Sequence, residues 1–205
     1  MESKWLTWAK ELQSIAQAGE HYSKDKFDIE RFNRIREISV EILNKYTDID
    51  NEKIRDLFCN EKGYQTPKVD VRGVLFKDGK ILLVQEQIDN KWALPGGWAE
   101  YNLSLKENVE KEIFEEAGIK AKAKSIIAIH QNSKHSERPS AYGVYKVFIL
   151  CEYISGEFIE NIETLKSGYF TLENLPELSL GRNNRSQLEM CFNWILKDER
   201  ETQFD

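Results

Sequence analysis

The chain has 205 residues, three of them cysteine, with 35 acidic against 29 basic side chains and a formal net charge of −6. That length suits one or two domains, and the acidic balance argues against a protein that grips duplex nucleic acid through many phosphate contacts. Cys59, Cys151 and Cys191 are odd in number, far apart and without paired spacing, which argues against a zinc site or disulfide framework, and no leader-like or membrane-spanning apolar run stands out, so a soluble cytoplasmic protein with no membrane partner is expected.

In chain order, Trp5, Trp8, Leu12 and Ile15 recur at helical spacing. Ile29, Phe32, Ile35, Ile38, Ile42 and Tyr46 do so again, with Val40 off their stripe. Asp28 and Asp50 read as N-caps of a second and a third helix, the third marked by Ile54, Leu57 and Phe58, and Gly63 through Pro67 reads as a linker. Residues 1–65 are therefore expected to be a small helical domain and 66–205 a second domain. A helical unit of that size buries too little surface to stand alone, so it is expected to pack on something, with the Trp5/Trp8 stripe assigned to intramolecular core ahead of a dimer surface.

Past the linker the period changes from helix to strand. Val69, Val71 and Val74-Leu75-Phe76 predict a strand, Asp78-Gly79 a tight turn, and Ile81-Leu82-Leu83-Val84 the hairpin partner. Ser125 to His130 and the alternating stretch Tyr142 to Tyr153 predict two more strands, and helices are expected at about 105–117 and 185–197. Ser104 with Glu107 forms a capping box ahead of the first of these helices, and Gly118 supplies its C-terminal stop. Leu105, Val109, Ile113 and Ala117 make its buried stripe. Strand hairpins with inserted helices define a mixed α/β (α+β) fold.

The most informative feature lies on that helix. Glu112, Glu115 and Glu116 fall at i, i+3 and i+4, so their side chains leave from one patch, expected to point away from the core. Like charges repel there unless solvent or a divalent cation intervenes, and a hard cation suits an oxygen-rich, incomplete shell. Leu94-Pro95-Gly96-Gly97 precedes the helix, and two glycines let a backbone come close to a ligand above the carboxylates, which favours the metal site over a solvated Glu/Lys face.

Leu94-Pro95-Gly96-Gly97 followed by Lys111-Glu112-Ile113-Phe114-Glu115-Glu116-Ala117-Gly118-Ile119 resembles the Nudix box, and the spacing fits without a gap. The box asks for Glu at 103 and Arg at 111, whereas this chain has Leu103 and Lys111, which together read as the loss of one internal pair. The resemblance implies the Nudix fold, a mixed sheet between helices. It implies a pyrophosphatase that binds Mg²⁺ or Mn²⁺ through Glu112, Glu116 and Glu115, with the Gly96 carbonyl as a further ligand. The helical extension resembles that of the subgroup acting on nucleoside diphosphates linked to a second moiety X, in which homodimers are usual, and implies a homodimer through the N-terminal helices.

Other assignments rest on position. An acidic residue in a later loop supplies the general base in some Nudix members, and of Glu157, Glu160 and Glu163 the last is placed first because it precedes Tyr169-Phe170. Gly97, Lys111, His130 and Trp98 are candidate substrate contacts, with Tyr101, the polar loop from Gln131 to Arg138, Arg182 and Arg185 as weaker ones; Asn183-Asn184 reads more simply as a helix cap. The expected function is hydrolysis of the pyrophosphate bond of a nucleoside diphosphate-X, with ADP-ribose and CDP-alcohols as first candidates. The alternatives are the same chemistry on nucleoside triphosphates or RNA ends, and a nucleotide-binding sensor without catalysis.

Overall fold

A computed structural model describes residues 3–47, 54, 62–136, 143–197 and 200–205. The chain divides into two compact units at Pro67 and Lys68, with Gly143 grouped with the first. In the first unit, helix α1 (Lys4–Tyr22) is followed by α2 (Lys26–Tyr46). The N-cap of α2 is Asp25, not Asp28: Asp25 Oδ1 accepts from the backbone N–H of Phe27 at 2.8 Å and of Asp28 at 3.1 Å, which leaves Asp28 in the first turn paired with Arg31. The expected third helix lies outside the described residues except for Ile54, which is buried with Leu6, Ala9, Val40 and Leu43.

The buried face of these helices departs from the aromatic stripe read from spacing. Leu6, Ala9, Gln13 and Ala16 line the buried side of α1, while Trp8 is 55% and Ile15 48% exposed. Trp5 is half-buried and stacks on Tyr46, itself largely exposed. On α2 the off-stripe Val40 is buried. Gly19 marks a close approach of the two helices, where a Cβ would overlap the ring of Phe32.

In the second unit, β1 (Lys68–Lys77) and β2 (Lys80–Glu86) form the expected hairpin, joined through Asp78 (φ 50°) and Gly79 (φ 72°), the two positive φ values that a type I′ turn requires. A short β3 (Trp92–Ala93) continues from β2. After helix α3 (Leu105–Ala117) the chain runs through β4 (Ile119–Gln131), a single turn α4 (Asn132–His135), β5 (Val144–Gly156), β6 (Thr164–Phe170), α5 (Arg185–Leu196) and β7 (Gln203–Phe204). The sheet is mixed, ordered β3-β2-β1-β5-β4-β7 with β6 pairing β2; β1 and β5 run parallel from Lys68↔Val144 to Leu75↔Cys151.

A helix covers each face. Val71, Leu75, Leu82 and Val84 pack under Val109 and Ile113 of α3, and Val74, Ile81, Leu83 and Phe148 pack under Leu188 and Cys191 of α5. Alternation along β1 and β2 therefore decides which side chain meets which helix. Gly73 marks the tightest point, since a Cβ there would lie 2.6 Å from Ile113 Cδ1. Ser104 and Glu107 close the capping box of α3, and Gly118 ends it in the left-handed conformation at φ 68°. Cys151 and Cys191 are free and buried, whereas Cys59 lies outside the described residues. Among the described residues, no helix is long and apolar enough to cross a membrane.

Ile113 is fully buried and seated over Gly73. Ile113→Ala is expected to lower unfolding stability by about 3 kcal/mol, because it removes buried methyl groups and leaves a cavity under a helix pinned at both ends. Denaturant titration of the two proteins measures the difference, and a change below about 0.5 kcal/mol, no more than a surface substitution gives, would contradict the packing described.

Candidate active site

The glycine loop is laced onto β1 as if it were another strand. Gly73 N–H donates to Pro95 O at 2.7 Å, Val71 N–H to Gly97 O at 2.9 Å, and Ala99 N–H to Val69 O at 2.8 Å. Gly96 has φ +145°, and a Cβ on it would overlap the carbonyl oxygen of Val71. On Gly97 a Cβ would sit 3.1 Å from Glu112 Oε2. One glycine therefore admits the strand and the next admits a carboxylate. Asn108, buried near the start of α3, closes the loop by accepting from Glu100 N–H and donating to Leu103 O.

Glu112, Glu115 and Glu116 leave α3 toward this loop in three different environments. Glu116 is buried, 5% exposed, with Oε2 accepting from Gly96 N–H at 2.9 Å. Burial pushes its carboxyl pKa up to about 8, against the opposing pull of Arg72 and of that N–H. Burial also raises Glu112, moderated by Lys111. Glu115 is half-exposed and accepts from Lys111. The cluster therefore does not point wholly away from the core: the turn of α3 that carries Ala117 inward also brings Glu116 to the boundary.

Lys111 stands 3.1 Å from Glu100 and close to Glu115, and these partners raise its pKa above the ordinary lysine value, led by the hydrogen bond to Glu115 and opposed by burial. Glu100, three residues ahead of Leu103, thus supplies a carboxylate partner for the cation at position 111. The box carries a pair between loop and helix even without Glu at 103.

Beneath the carboxylates lies a polar floor. Arg72 is fully buried; its Nε and Nη2 fork onto the two oxygens of Asp70 at 2.7 and 2.9 Å, and Nη1 donates to Leu94 O at 3.1 Å. Burial alone would lower its pKa, but Asp70, Glu116 and Glu86 raise it beyond the ordinary arginine value, so it remains a fixed cation under Glu116. Asn183 Oδ1 accepts from Leu94 N–H at 2.8 Å, and the backbone oxygen of Arg182 accepts from the buried Lys146 ammonium. Burial pulls the Lys146 pKa down to about 8.

These groups open onto a cavity of about 770 Å³, a volume suited to a nucleotide-sized ligand. Gly96, Gly97, Glu112, Glu115 and Glu116 line it, as do Lys111, Trp98 and Glu163. Glu163 is held there by Gln87 N–H donating to its carbonyl and by Asn161 Oδ1 accepting its own N–H. Glu157 and Glu160 are not among its lining, nor are Tyr101 and Arg185; Arg185 pairs with Glu189 on α5.

His130 is elsewhere. Its side chain is buried, stacked on His135 at 3.7 Å between ring centroids and edge-on to Phe148, because its place on β4 opposite Lys146 turns it into the α5 side of the sheet. Residues 137 and 138 of the polar loop lie outside the described residues.

Sequence reasoning missed Glu86, Glu100 and Arg72 and ranked Arg182 only among the weaker contacts, although Glu86, Glu100 and Arg182 line the cavity and Arg72 supports it. A signal was present for two of them. Arg72 and Glu86 are charges inside apolar strand runs, where an unpaired charge is expensive and a partnered one tends to be functional.

The arrangement is thus a glycine loop laid against a strand, with a helix of carboxylates above it and an acidic loop opposite, all lining one cavity of a mixed α/β unit. Residues 66–190 match the NUDIX domain model, and residues 3–58 match the model described as UDP-X-like, N-terminal oligomerisation domain. The chain belongs to the Nudix family. It is 43% identical over 205 residues to the Bacillus subtilis (strain 168) protein YjhB, provisionally named an ADP-ribose pyrophosphatase, with 100% of this chain and 99% of that one covered. A crystal structure described as an ADP-ribose pyrophosphatase from Streptococcus suis is 46% identical and superimposes with a TM-score of 0.63 over 68% of this chain and 100% of its own. One described as UDP-X diphosphatase is 32% identical with a TM-score of 0.65, covering 98% of each chain.

Nudix hydrolases generally need a divalent metal, and the donor set here fits one. Every side-chain donor around the glycines is a carboxylate oxygen, and Gly97 leaves room beside Glu112 that a Cβ would crowd. Among the described residues no three acidic, His or Cys side chains converge as they stand, since Lys111 engages Glu115 and Gly96 N–H engages Glu116. Glu112 is the least engaged of the three.

Two outcomes follow from this geometry. Gly96→Ala is expected to cost at least tenfold in turnover while circular dichroism still shows folded protein, since the added carbon forces the loop off Val71; normal turnover would mean the loop is not held as described. His130 has a folded-state pKa lowered to about 4 by burial and by the neighbouring His135, against an ordinary 6.5, so its contribution to stability is complete above pH 6.5 and lost as pH falls toward 4. In His130→Phe that part of the acid loss is expected to disappear from denaturation midpoints measured between pH 4 and 7, and an unaltered pH profile would refute the assignment.

Proposed function

We propose that this Nudix hydrolase cuts the pyrophosphate bond of a nucleoside diphosphate linked to X, giving a nucleoside monophosphate and phosphorylated X, with Mg²⁺ or Mn²⁺ as cofactor. The observation that carries this reading is the meeting, in one cavity, of the glycine backbone, Glu112, Glu115 and Glu116 with Glu163. The names of the full-length relatives, an ADP-ribose pyrophosphatase and a UDP-X diphosphatase, support the substrate class.

A diphosphate repels an incoming hydroxide, so catalysis requires neutralised charge, an activated water and fixed alignment. A divalent ion supplies the first two when bound. Glu112 and Glu116 would hold it, with Glu115 and the Gly96 carbonyl as further donors. Gly97 lets the substrate's phosphates lie against backbone rather than side chain. Lys111 tempers the repulsion on α3 and fixes the loop through Glu100. Glu163, on a loop pinned to Gln87, accepts the proton of the attacking water as oxygen bonds to one phosphorus and the bridging P–O bond breaks. Trp98, half-exposed at the rim, offers its face to the base.

The protein acts in the cytoplasm as a homodimer through the N-terminal helices. The exposed Trp8, Ile15, Tyr22 and Phe27 and the match to an oligomerisation domain support that association.

The test is release of nucleoside monophosphate from ADP-ribose, CDP-choline, UDP-sugars, nucleoside triphosphates and short RNA, each with Mg²⁺ and with Mn²⁺. Turnover of a nucleoside diphosphate-X that stops with chelator is expected; turnover restricted to triphosphates or RNA would overturn the substrate class. Glu116→Gln is expected to fold and to lose turnover by on the order of 10³-fold, because a ligand charge is removed at the reacting phosphate. Near-wild-type turnover in that variant would take Glu116 out of the site.

A further inference from the structure

Lys146 is buried, and the reaction does not use it. The side chains that follow it on the α5 side of β5, Phe148 and Leu150, are apolar, yet position 146 carries an ammonium that is 3% exposed. An apolar residue would complete that layer without electrostatic cost. A buried ammonium is expensive, and burial pulls its pKa down to about 8, with Asp70 opposing. Asp70 faces Lys146 across the β1–β5 ladder, but both oxygens of Asp70 are already forked by Arg72. Lys146 donates instead to the backbone oxygen of Arg182.

Arg182 lies in the turn between β6 and α5, where no ladder or helix holds it. Individual hydrogen bonds do so. Its N–H donates to Ser179 O at 2.8 Å, Asn183 N–H donates to the same oxygen at 3.1 Å, and Asn183 Oδ1 accepts from Leu94 N–H. With its carbonyl drawn into the sheet by Lys146, the residue turns its side chain to the cavity. There the guanidinium, 39% exposed, gives one N–H to Glu86 Oε2 at 3.2 Å and keeps further N–H groups for a ligand. Lys111, the other cation among the described residues lining the cavity, is engaged by both Glu100 and Glu115.

We infer that Lys146 is a positioning residue: by holding the Arg182 carbonyl from inside the sheet, it sets the Arg182 guanidinium at the cavity to receive an anionic phosphate oxygen of the substrate. This deepens the pyrophosphatase reading and rests on it for the identity of the anion. The planar N–H fork of an arginine matches phosphate oxygens in geometry as well as charge. The charge of Lys146 serves the backbone bond, since a hydrogen bond from a charged donor is about twice as strong as one between neutral groups. An Arg182 fixed in this way, braced by Glu86 at one end and by Lys146 at the other, has little freedom left to lose when the anion arrives.

The experiment is a calorimetric titration of methylenediphosphonate, a diphosphate whose bridging oxygen is replaced by carbon, into Mg²⁺-saturated wild type, Lys146→Met, Arg182→Ala and the double variant. Met fills the space of the lysine stem without a donor. Arg182→Ala is expected to raise Kd about thirtyfold and Lys146→Met about tenfold, and the double variant about thirtyfold again, because Lys146 acts through Arg182; independent effects would multiply to about 300-fold. Denaturation midpoints check folding, and should Lys146→Met fold poorly, Lys146→Gln, one bond shorter and still polar beside Asp70, takes its place in the cycle. A lowered midpoint with unchanged Kd in Lys146→Met would make the lysine a stability residue and overturn the inference. A loss near 300-fold in the double variant, an unchanged Kd in Arg182→Ala, or a wild type that does not bind the diphosphonate would each overturn it too. The titration needs no turnover, so the expected pattern in a protein that releases no nucleoside monophosphate would bring down the nucleoside diphosphate-X reading and leave this inference standing.

Discussion

Three backbone hydrogen bonds hold the site together: Gly73 to Pro95, Val71 to Gly97 and Ala99 to Val69. They turn a glycine loop into a strand-like flap on β1, and the rest of the arrangement follows from its position. Because the loop lies flat on the strand, Glu112 fits against Gly97 and Glu116 reaches Gly96 N–H. Because α3 is fixed over Gly73 by Ile113, its carboxylates cannot retreat from one another. Packing that the charges themselves do nothing to favour thus keeps three carboxyl groups on one patch.

The electrostatic balance of the cavity is set by few cations. Six carboxylates, Glu86, Glu100, Glu112, Glu115, Glu116 and Glu163, line it together with Lys111 and Arg182. Each of these cations already has a carboxylate partner, and Arg72 works from below without reaching the surface. An anionic diphosphate entering such a lining needs positive charge that the protein side chains do not provide in excess, which is the physical reason for a metal-dependent reaction here. The exchange of the box pair, with Glu100 facing Lys111 in place of a Glu at 103, preserves the loop-to-helix tie, and Lys111 engages Glu115 as well.

The two units use their apolar residues differently. In the second unit the large side chains of β1, β2, β4 and β5 alternate between α3 and α5, and nearly all are buried. In the first, α1 and α2 approach through Gly19, Ala9 and Ala16, leaving Trp8 and Phe27 outward. An amphipathic period shows that a helix has an apolar stripe but does not tell which of two adjoining stripes faces the partner helix. Close helix spacing favoured the small residues.

Local sequence settled most of what depends on nearest neighbours along the chain, the N-cap of α2 excepted, which falls at Asp25 and not Asp28. The capping box at Ser104 and Glu107, the left-handed stop at Gly118, the Asp78-Gly79 turn and the i, i+3, i+4 spacing of the carboxylates all follow from residues within one turn of each other, and each was legible without coordinates. The tertiary structure decided what depends on residues far apart in the chain. Glu163 comes to the cavity through its bond to Gln87, Arg182 reaches Glu86 across 96 positions, and His130 turns into the α5 layer because of its register with Lys146. Sequence by itself determined the fold class and the carboxylate helix, since hydrogen-bond geometry and periodicity act locally. Which distant charges share a cavity, and which are buried to support it, was decided only when the sheet brought the ends of its strands together.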